Sequence, residues 1–126
     1  KSIPYIKIGR VNKKVFYSAS IHANEWITTP ILMKFVEDYL ASIASGERIF
    51  GYDVSQIYNN TTLYVAPMVN PDGVDLVTGN IEPGDNAYQR AQAIANDFPN
   101  IDFPSGWKAN INGVDLKNFQ PFCKVL

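Results

Sequence analysis

Histidine and cysteine are each present only once among the 126 residues. A single cysteine, Cys123, excludes an intramolecular disulfide and a metal site built from several cysteines. A single histidine, His22, means that this chain alone cannot complete any mechanism that needs two imidazoles.

The sequence also lacks an excess of positive charge and any long apolar run. The formal net charge is −1, whereas a nucleic-acid-binding protein needs a basic stripe to neutralise phosphates. No apolar run reaches the roughly 18 residues that a membrane span needs. The segment after Lys1 alternates like a strand and does not resemble a signal peptide. An apolar fraction of 46% excludes a disordered chain, and the length suits one domain.

Three segments have the composition of β-strands. Residues 5–8 end at a glycine, a polar turn follows, and residues 15–20 are again rich in β-forming side chains, which predicts a hairpin or two neighbouring strands. Residues 61–69 are almost continuously apolar, which is typical of a strand that is covered on both faces. Residues 70–73, read as N-P-D-G, predict a turn at its end.

Helical signals alternate with these strands. Thr29 as N-cap, Pro30 at the first helical position and Gly46 as the stop predict one long helix. Residues 53–58 suit a short helical turn with an aspartate cap, and residues 87–97 predict a further helix before a proline-rich loop. The alternation predicts an α/β domain with a mixed, mostly parallel sheet and flanking helices.

His22 and Glu25 are the first candidate site residues. They lie between a predicted strand and a predicted helix, at the strand end where α/β folds place ligands. Imidazole and carboxylate groups are ordinary zinc ligands. The spacing alone leaves a second interpretation open, in which Glu25 is only a favourable charge in the first turn of a helix.

Three segments together resemble the zinc carboxypeptidases, the carboxypeptidase A-like family. Residues 21–30 read I-H-A-N-E-W-I-T-T-P, residues 70–76 read N-P-D-G-V-D-L, and residues 107–116 read W-K-A-N-I-N-G-V-D-L. They follow the family order at plausible separations and cover most of the chain. The nearest similarity is to the bacterial branch that cleaves γ-D-glutamyl–diaminopimelate bonds in cell-wall peptides.

The resemblance implies a role for three residues. His22 and Glu25 would be the first two zinc ligands, and the family completes the metal site with a second histidine and a water molecule, and uses a glutamate as the general base. Lys108 lies where the carboxypeptidases have an arginine that stabilises the oxyanion, and a lysine can do so as a point charge. The alternative for Lys108 is an ordinary solvated lysine.

The resemblance also has departures. The family pattern G-V-D-L-N-R-N-F is one residue short here, so Lys117 and Asn118 are doubtful replacements for the Asn-Arg pair that binds a substrate carboxylate. Residues 120–126 resemble nothing in the family at that point, and residues 119–126 are predicted to be an anomalous tail. The family's second zinc histidine and catalytic glutamate are absent, so residues 1–126 are predicted to be a partial, truncated zinc carboxypeptidase-like domain.

The predicted function is therefore that of a zinc metallopeptidase-family domain for peptide substrates, with cell-wall peptides and an extracytoplasmic or wall-associated location implied by the resemblance. This chain alone is expected to be inactive and to bind zinc weakly, because two ligands lose most of the coordination energy. No nucleic-acid or membrane partner is expected. The alternative is a non-catalytic interaction module that self-associates through exposed strand edges. A nucleotide or flavin domain would need a glycine-rich phosphate loop, which the sequence lacks.

Overall fold

The computed structural model describes residues 2–119, with the side chains of Asn118 and Phe119 excepted. Of the predicted tail at residues 119–126, only the backbone of Phe119 falls within this range, and the rest lies outside the described residues. Short 3₁₀ helices span Ala23–Glu25 and Leu116–Phe119. The strands and α-helices, in chain order, are β1 Ile6–Ile8, β2 Lys14–Ser18, α1 Thr28–Ser45, β3 Arg48–Ile49, β4 Tyr52–Asp53, α2 Val54–Asn60, β5 Thr62–Ala66, α3 Pro71–Val77 and α4 Asn86–Ala95.

The main sheet has three strands in the order β1–β5–β2. Strand β2 runs parallel to β5 from the pair Lys14–Thr62 to the pair Ser18–Ala66, and β1 runs antiparallel to β5. The mixed sheet confirms the predicted fold class. The predicted pairing of the first two strands is wrong, because β5 lies between them. An apolar strand that is buried on both faces takes the central place.

Strand β5 is the best covered strand, since four of its five residues are buried. It is shorter than the predicted strand at 61–69, because the chain leaves the sheet after Ala66. Strands β3 and β4 form a separate two-stranded hairpin that the sequence analysis did not predict.

Helix α1 confirms the predicted long helix but not its first residue. It begins at Thr28, with Ile27 in the capping position, so the prediction of Thr29 as N-cap is wrong. The Thr29 hydroxyl instead donates to the carbonyl of Pro67 and contacts the Ser20 hydroxyl. At the other end, Gly46 has φ 73° and donates its N–H to Ser42, which confirms the predicted stop.

Of the other helices, α2 and α4 agree with the sequence predictions and α3 does not. The Asp53 carboxylate caps α2 as predicted, and α4 confirms the helix predicted near residues 87–97. The turn predicted at residues 70–73 is instead the start of α3, where the Asn70 side chain accepts a hydrogen bond from the N–H of Gly73. Asn-Pro suits a helix N-terminus as well as a turn, because asparagine caps and proline fits the first turn.

Two apolar clusters stabilise this arrangement. The first, here called the sheet core, joins the main sheet to α1 and α2, and the second, the site core, joins the loop after β2 to α3, α4 and the segment around Trp107. The buried members are Ile8, Val36, Tyr39, Val54, Leu63 and Val65 in the sheet core, and Ala23, Leu76, Ala91, Ala95 and Trp107 in the site core.

Within residues 2–119, no helix combines the length and the apolar character that crossing a membrane requires.

Candidate metal centre

His22 and Glu25 meet in the short turn that follows β2. His22 has an extended backbone and precedes the 3₁₀ helix Ala23–Glu25. Nδ1 of His22 lies 3.1 Å from Oε1 of Glu25. Two ligand atoms at zinc distances of about 2.0–2.2 Å in a tetrahedral site lie roughly 3.3–3.6 Å apart. The structure therefore brings the two predicted ligand atoms within hydrogen-bond distance of each other, close to the separation that they would have as ligands of one metal ion.

The second ring nitrogen of His22 faces a carboxylate from a distant part of the chain. Nε2 lies 3.4 Å from Oδ1 of Asp115, and it is a buried atom without a hydrogen-bond partner among the described residues. The Asn110 side chain organises the loop before Asp115 by accepting hydrogen bonds from the N–H groups of Asn112 and Val114. The imidazole thus lies between two carboxylates, one at each nitrogen.

Hydrogen bonds around Ser20 connect the end of β2 to the turn at His22 and to the start of α1. Ser20 is buried and has φ 49°, a conformation that side-chain-bearing residues rarely adopt. Its N–H donates to Oγ1 of Thr28, and its hydroxyl contacts Oγ1 of Thr29 at 2.6 Å. The Thr28 hydroxyl in turn donates to the carbonyl of Glu25. These bonds fix where the chain reverses between the strand and the ligand-bearing turn.

The structure brings the two candidate lysines near this turn through their backbones. The N–H of Ala23 donates to the carbonyl of Lys108 at 3.1 Å, and the N–H of Lys117 donates to Oδ1 of Asp115 at 2.9 Å. Both lysines are exposed. Asn118 follows in the 3₁₀ helix Leu116–Phe119, and its side chain lies outside the described part of the chain.

The donor set fits a partial zinc site. His22 and Glu25 supply two ligand atoms, and Asp115 is placed to orient the imidazole from its other nitrogen, as carboxylates commonly do at zinc-bound histidines. Within residues 2–119, no group of three or more His, Cys, Asp or Glu side chains is arranged to hold a metal ion. The structure thus brings two candidate ligand atoms together, and their role as zinc ligands stays a prediction.

Sequence reasoning missed two residues of this centre. The sequence analysis assigns Asn70 to a turn and gives Asp115 no role, yet Asp115 lies 3.4 Å from His22, and Asn70 cross-links the turn at His22 to the segment after Trp107. A usable signal was present, because both residues lie inside the motifs that carry the family resemblance. Polar residues inside such motifs are better candidates for the site than for its loops.

The chain belongs to the zinc carboxypeptidase family, whose model matches residues 2–123. This membership confirms the family that the three motifs indicate and the zinc metallopeptidase class of the domain.

Among similar proteins, the gamma-D-glutamyl-L-diamino acid endopeptidase 1 of Lysinibacillus sphaericus is 50% identical over 119 residues, which cover 94% of this chain and 29% of that protein. The uncharacterized protein YqgT of Bacillus subtilis is 42% identical over 86% of this chain and 28% of its own length. Metallocarboxypeptidase A of Trichophyton tonsurans is 31% identical over 79% and 25%, respectively. The chain therefore spans less than a third of each relative. No solved structure matches it.

Proposed function

We propose that His22 and Glu25 are the zinc ligands that this chain contributes to a metallopeptidase centre. The supporting observation is the 3.1 Å separation of Nδ1 and Oε1, combined with the buried Nε2 that faces Asp115. A metal ion on Nδ1 leaves the ring proton on Nε2, and that N–H can then donate to Asp115. The metal-bound state would thus give a hydrogen bond to a nitrogen that has none among residues 2–119.

In such a centre, zinc lowers the pKa of a bound water and polarises the scissile carbonyl. The residues of this chain would hold the metal and position the substrate around it. Lys108 would place a positive charge beside the oxygen that becomes negative, and Lys117 with Asn118 would bind a substrate carboxylate. A lysine offers a point charge without the two-pronged geometry of arginine, so its grip on a carboxylate is less directional.

We propose peptides with a γ-D-glutamyl–diamino acid bond, as in bacterial cell walls, as the substrate class. The support is the 50% identity to a relative that is named for that bond. We propose a location outside the cytoplasm for this activity, in keeping with a cell-wall substrate. The activity is proposed for the complete centre, since the chain spans 29% of that relative.

The 126-residue chain by itself is expected to bind zinc weakly and to show no turnover. It contains one imidazole, and two ligands without a third give little of the usual coordination energy. The single histidine makes the test simple, because all imidazole NMR signals belong to His22. Titration with Zn²⁺ should shift these signals saturably, and the bound metal should be lost on dialysis.

The matched variants are Glu25→Gln and Glu37→Gln. Glu25→Gln removes the second ligand and should raise the zinc dissociation constant by about tenfold or more. Glu37→Gln makes the same change on the exposed face of α1, beside Lys34, and should leave zinc binding unaltered. Unresponsive His22 signals would contradict the ligand assignment. Stoichiometric zinc that survives dialysis, together with peptide hydrolysis, would contradict the two-ligand site.

A second candidate function, self-association, is favoured by the outer edge of β2, which no other strand in the described part of the chain covers. Phe16 and Tyr17 on this strand are about half exposed. The carbonyl of Lys13 and the N–H of Ala19 pair with β5, so by alternation the backbone groups of Lys14, Phe16 and Ser18 point away from the sheet. No strand among residues 2–119 pairs with these groups, and unpaired groups of this kind accept another strand.

We propose that a second copy of this chain pairs with the outer edge of β2. In an antiparallel pair centred on Phe16, Lys14 of one copy lies opposite Ser18 of the other, and the two lysines do not face each other. The edge of β1 is a poorer candidate, because β1 has only three residues and short edges are protected.

Light scattering during size-exclusion chromatography tests this pairing. Phe16→Lys would place two like charges opposite each other at the centre of the pair, so it should convert a dimer into a monomer. Phe98→Lys removes a similarly exposed aromatic from the loop after α4 and should leave the dimer intact. A monomeric parent protein, or equal effects of the two variants, would refute the pairing.

A further inference from the structure

Asn70 makes an unusually dense set of contacts for a residue at the start of a helix. It is 2% exposed. Its amide nitrogen Nδ2 lies 3.0 Å from the carbonyl oxygen of Ala109, 3.3 Å from that of Ile21 and 3.5 Å from that of Lys108. One NH₂ group therefore reaches carbonyls of two segments that are far apart in the sequence.

The oxygen of the same amide has a different task. Oδ1 accepts the N–H of Gly73 at 3.1 Å and so caps α3. The backbone N–H of Asn70 also donates to the carbonyl of Ser20 at 3.0 Å. The oxygen thus serves the helix, whereas the nitrogen serves the two segments that carry candidate site residues.

These contacts bracket His22. The carbonyl on one side of it, at Ile21, faces the Asn70 amide, and the N–H on the other side, at Ala23, donates to Lys108. The turn is thus attached on both sides of His22 to the segment at Lys108 and Ala109. A shift of that segment would move the imidazole relative to Glu25.

We propose that Asn70 is a positioning residue of the metal centre, whose side-chain NH₂ holds the His22 turn in register with the segment that carries Lys108. It acts through the backbone and touches neither the metal ligands nor the substrate. The expected effect on zinc binding rests on the proposed assignment of His22 and Glu25 as zinc ligands. The hydrogen bonds between Asn70 and the two segments do not depend on the metal.

Asn70→Asp separates the two tasks of the amide. Aspartate has nearly the same shape and is an equally good N-cap, but it replaces the NH₂ donor with an oxygen that faces three carbonyls. We expect α3 to form and the Gly73 amide to keep its protection from hydrogen exchange. The Ala23 amide should exchange about fivefold faster or more, on the scale of one net hydrogen bond.

The zinc dissociation constant, measured from the His22 imidazole signals, should rise about tenfold in Asn70→Asp, at the low end for loss of an outer-shell partner. The control is Asn60→Asp on the exposed end of α2, where the amide donates to the carbonyl of Gln56 at 2.8 Å. That variant makes the same chemical change far from the turn and should alter neither readout.

The outcomes are distinguishable from those of the zinc assignment. Unchanged exchange of Ala23 in Asn70→Asp would overturn the proposal, and so would loss of protection at Ala23 and Gly73 together, because that pattern indicates a merely structural role. If zinc leaves the parent His22 signals unaltered, the ligand assignment fails while the exchange measurement still decides the attachment. If Asn70→Asp does not fold, Asn70→Ser keeps a capping oxygen, lacks the NH₂ group and should give the same two changes.

Discussion

The sheet core and the site core are built from different materials. The sheet core is filled by large aliphatic and aromatic side chains that pack between the main sheet, α1 and α2. The site core has three alanines among its five buried members. Side-chain hydrogen bonds fix the segment after Trp107: Asn70 donates to the carbonyl of Ala109, and Asn110 accepts from the N–H of Val114. Apolar packing tolerates small adjustments, whereas hydrogen bonds prescribe distances and angles. The position of His22 thus depends on hydrogen bonds of defined distance and angle, whereas the sheet core depends mainly on apolar packing.

The largest expected effect comes from truncating the one large aliphatic side chain buried in the site core. Leu76 is 0% exposed, and Leu76→Ala should cost about 2–5 kcal/mol of unfolding free energy, because it opens a cavity at a fully buried position. The measurement is urea unfolding followed by circular dichroism.

Leu63→Ala provides the matched change in the sheet core, where Leu63 is 5% exposed. Its large neighbours can collapse partly into the space, so we expect a cost in the lower part of the same range. Hydrogen exchange should show that Leu76→Ala weakens protection of α3 more than that of β5. A larger cost for Leu63→Ala would reverse the comparison between the cores.

A smaller effect is expected at Gly73, where a helix meets the Asn70 amide. Alanine normally stabilises a helix interior by about 1 kcal/mol relative to glycine. A Cβ at Gly73 would, however, lie 2.6 Å from both amide atoms of Asn70 and 2.7 Å from the carbonyl of Ala109. The steric overlap outweighs the gain in helix propensity, so Gly73→Ala should lower the free energy of unfolding by about 1–3 kcal/mol.

The control for Gly73→Ala is Gly84→Ala in the loop before α4. A Cβ there meets nothing within 4 Å, so the variant should be neutral or slightly stabilising, because alanine restricts the unfolded chain. Thermal unfolding of both variants checks the difference. Equal melting temperatures would mean that the packing around the Asn70 amide is loose.

Local signals predicted those parts of the fold that depend on neighbours in the sequence. Gly46 stops α1 and Asp53 caps α2 because capping involves only the adjacent turn. The interpretation of Thr29 failed because its hydroxyl bonds to Pro67, which is 38 residues away. The order of the strands failed for the same reason, since β5 enters between β1 and β2 from a distant part of the chain.

The candidate site divides in the same way. His22 and Glu25 could be predicted because they lie three residues apart in a family motif, and one short turn brings them together. Asp115 approaches His22 from 93 residues further along the chain, and nothing in the local pattern of G-V-D-L specifies that contact. The long-range partners of the site thus depend on how the site core closes.

The smallest effect is expected on the exposed face of α1, far from the polar contacts of the site core. There Lys34 lies 2.6 Å from Asp38 and 3.4 Å from Glu37, and the hydrogen bond and charge of Asp38 raise the pKa of Lys34, with a further contribution from Glu37. Lys34→Gln should lower the melting temperature slightly at pH 7 in low salt, and less in 1 M salt, because exposed pairs are screened.

The same pair makes the stability depend on pH. Since the pKa of Lys34 is raised in the folded state, the stabilisation is present below the ordinary lysine pKa of about 10.4 and is lost as the pH rises above it. Melting temperatures at pH 7 and 11 check this, and a decrease that is larger than that of Gly73→Ala would show that surface charge outweighs site-core packing.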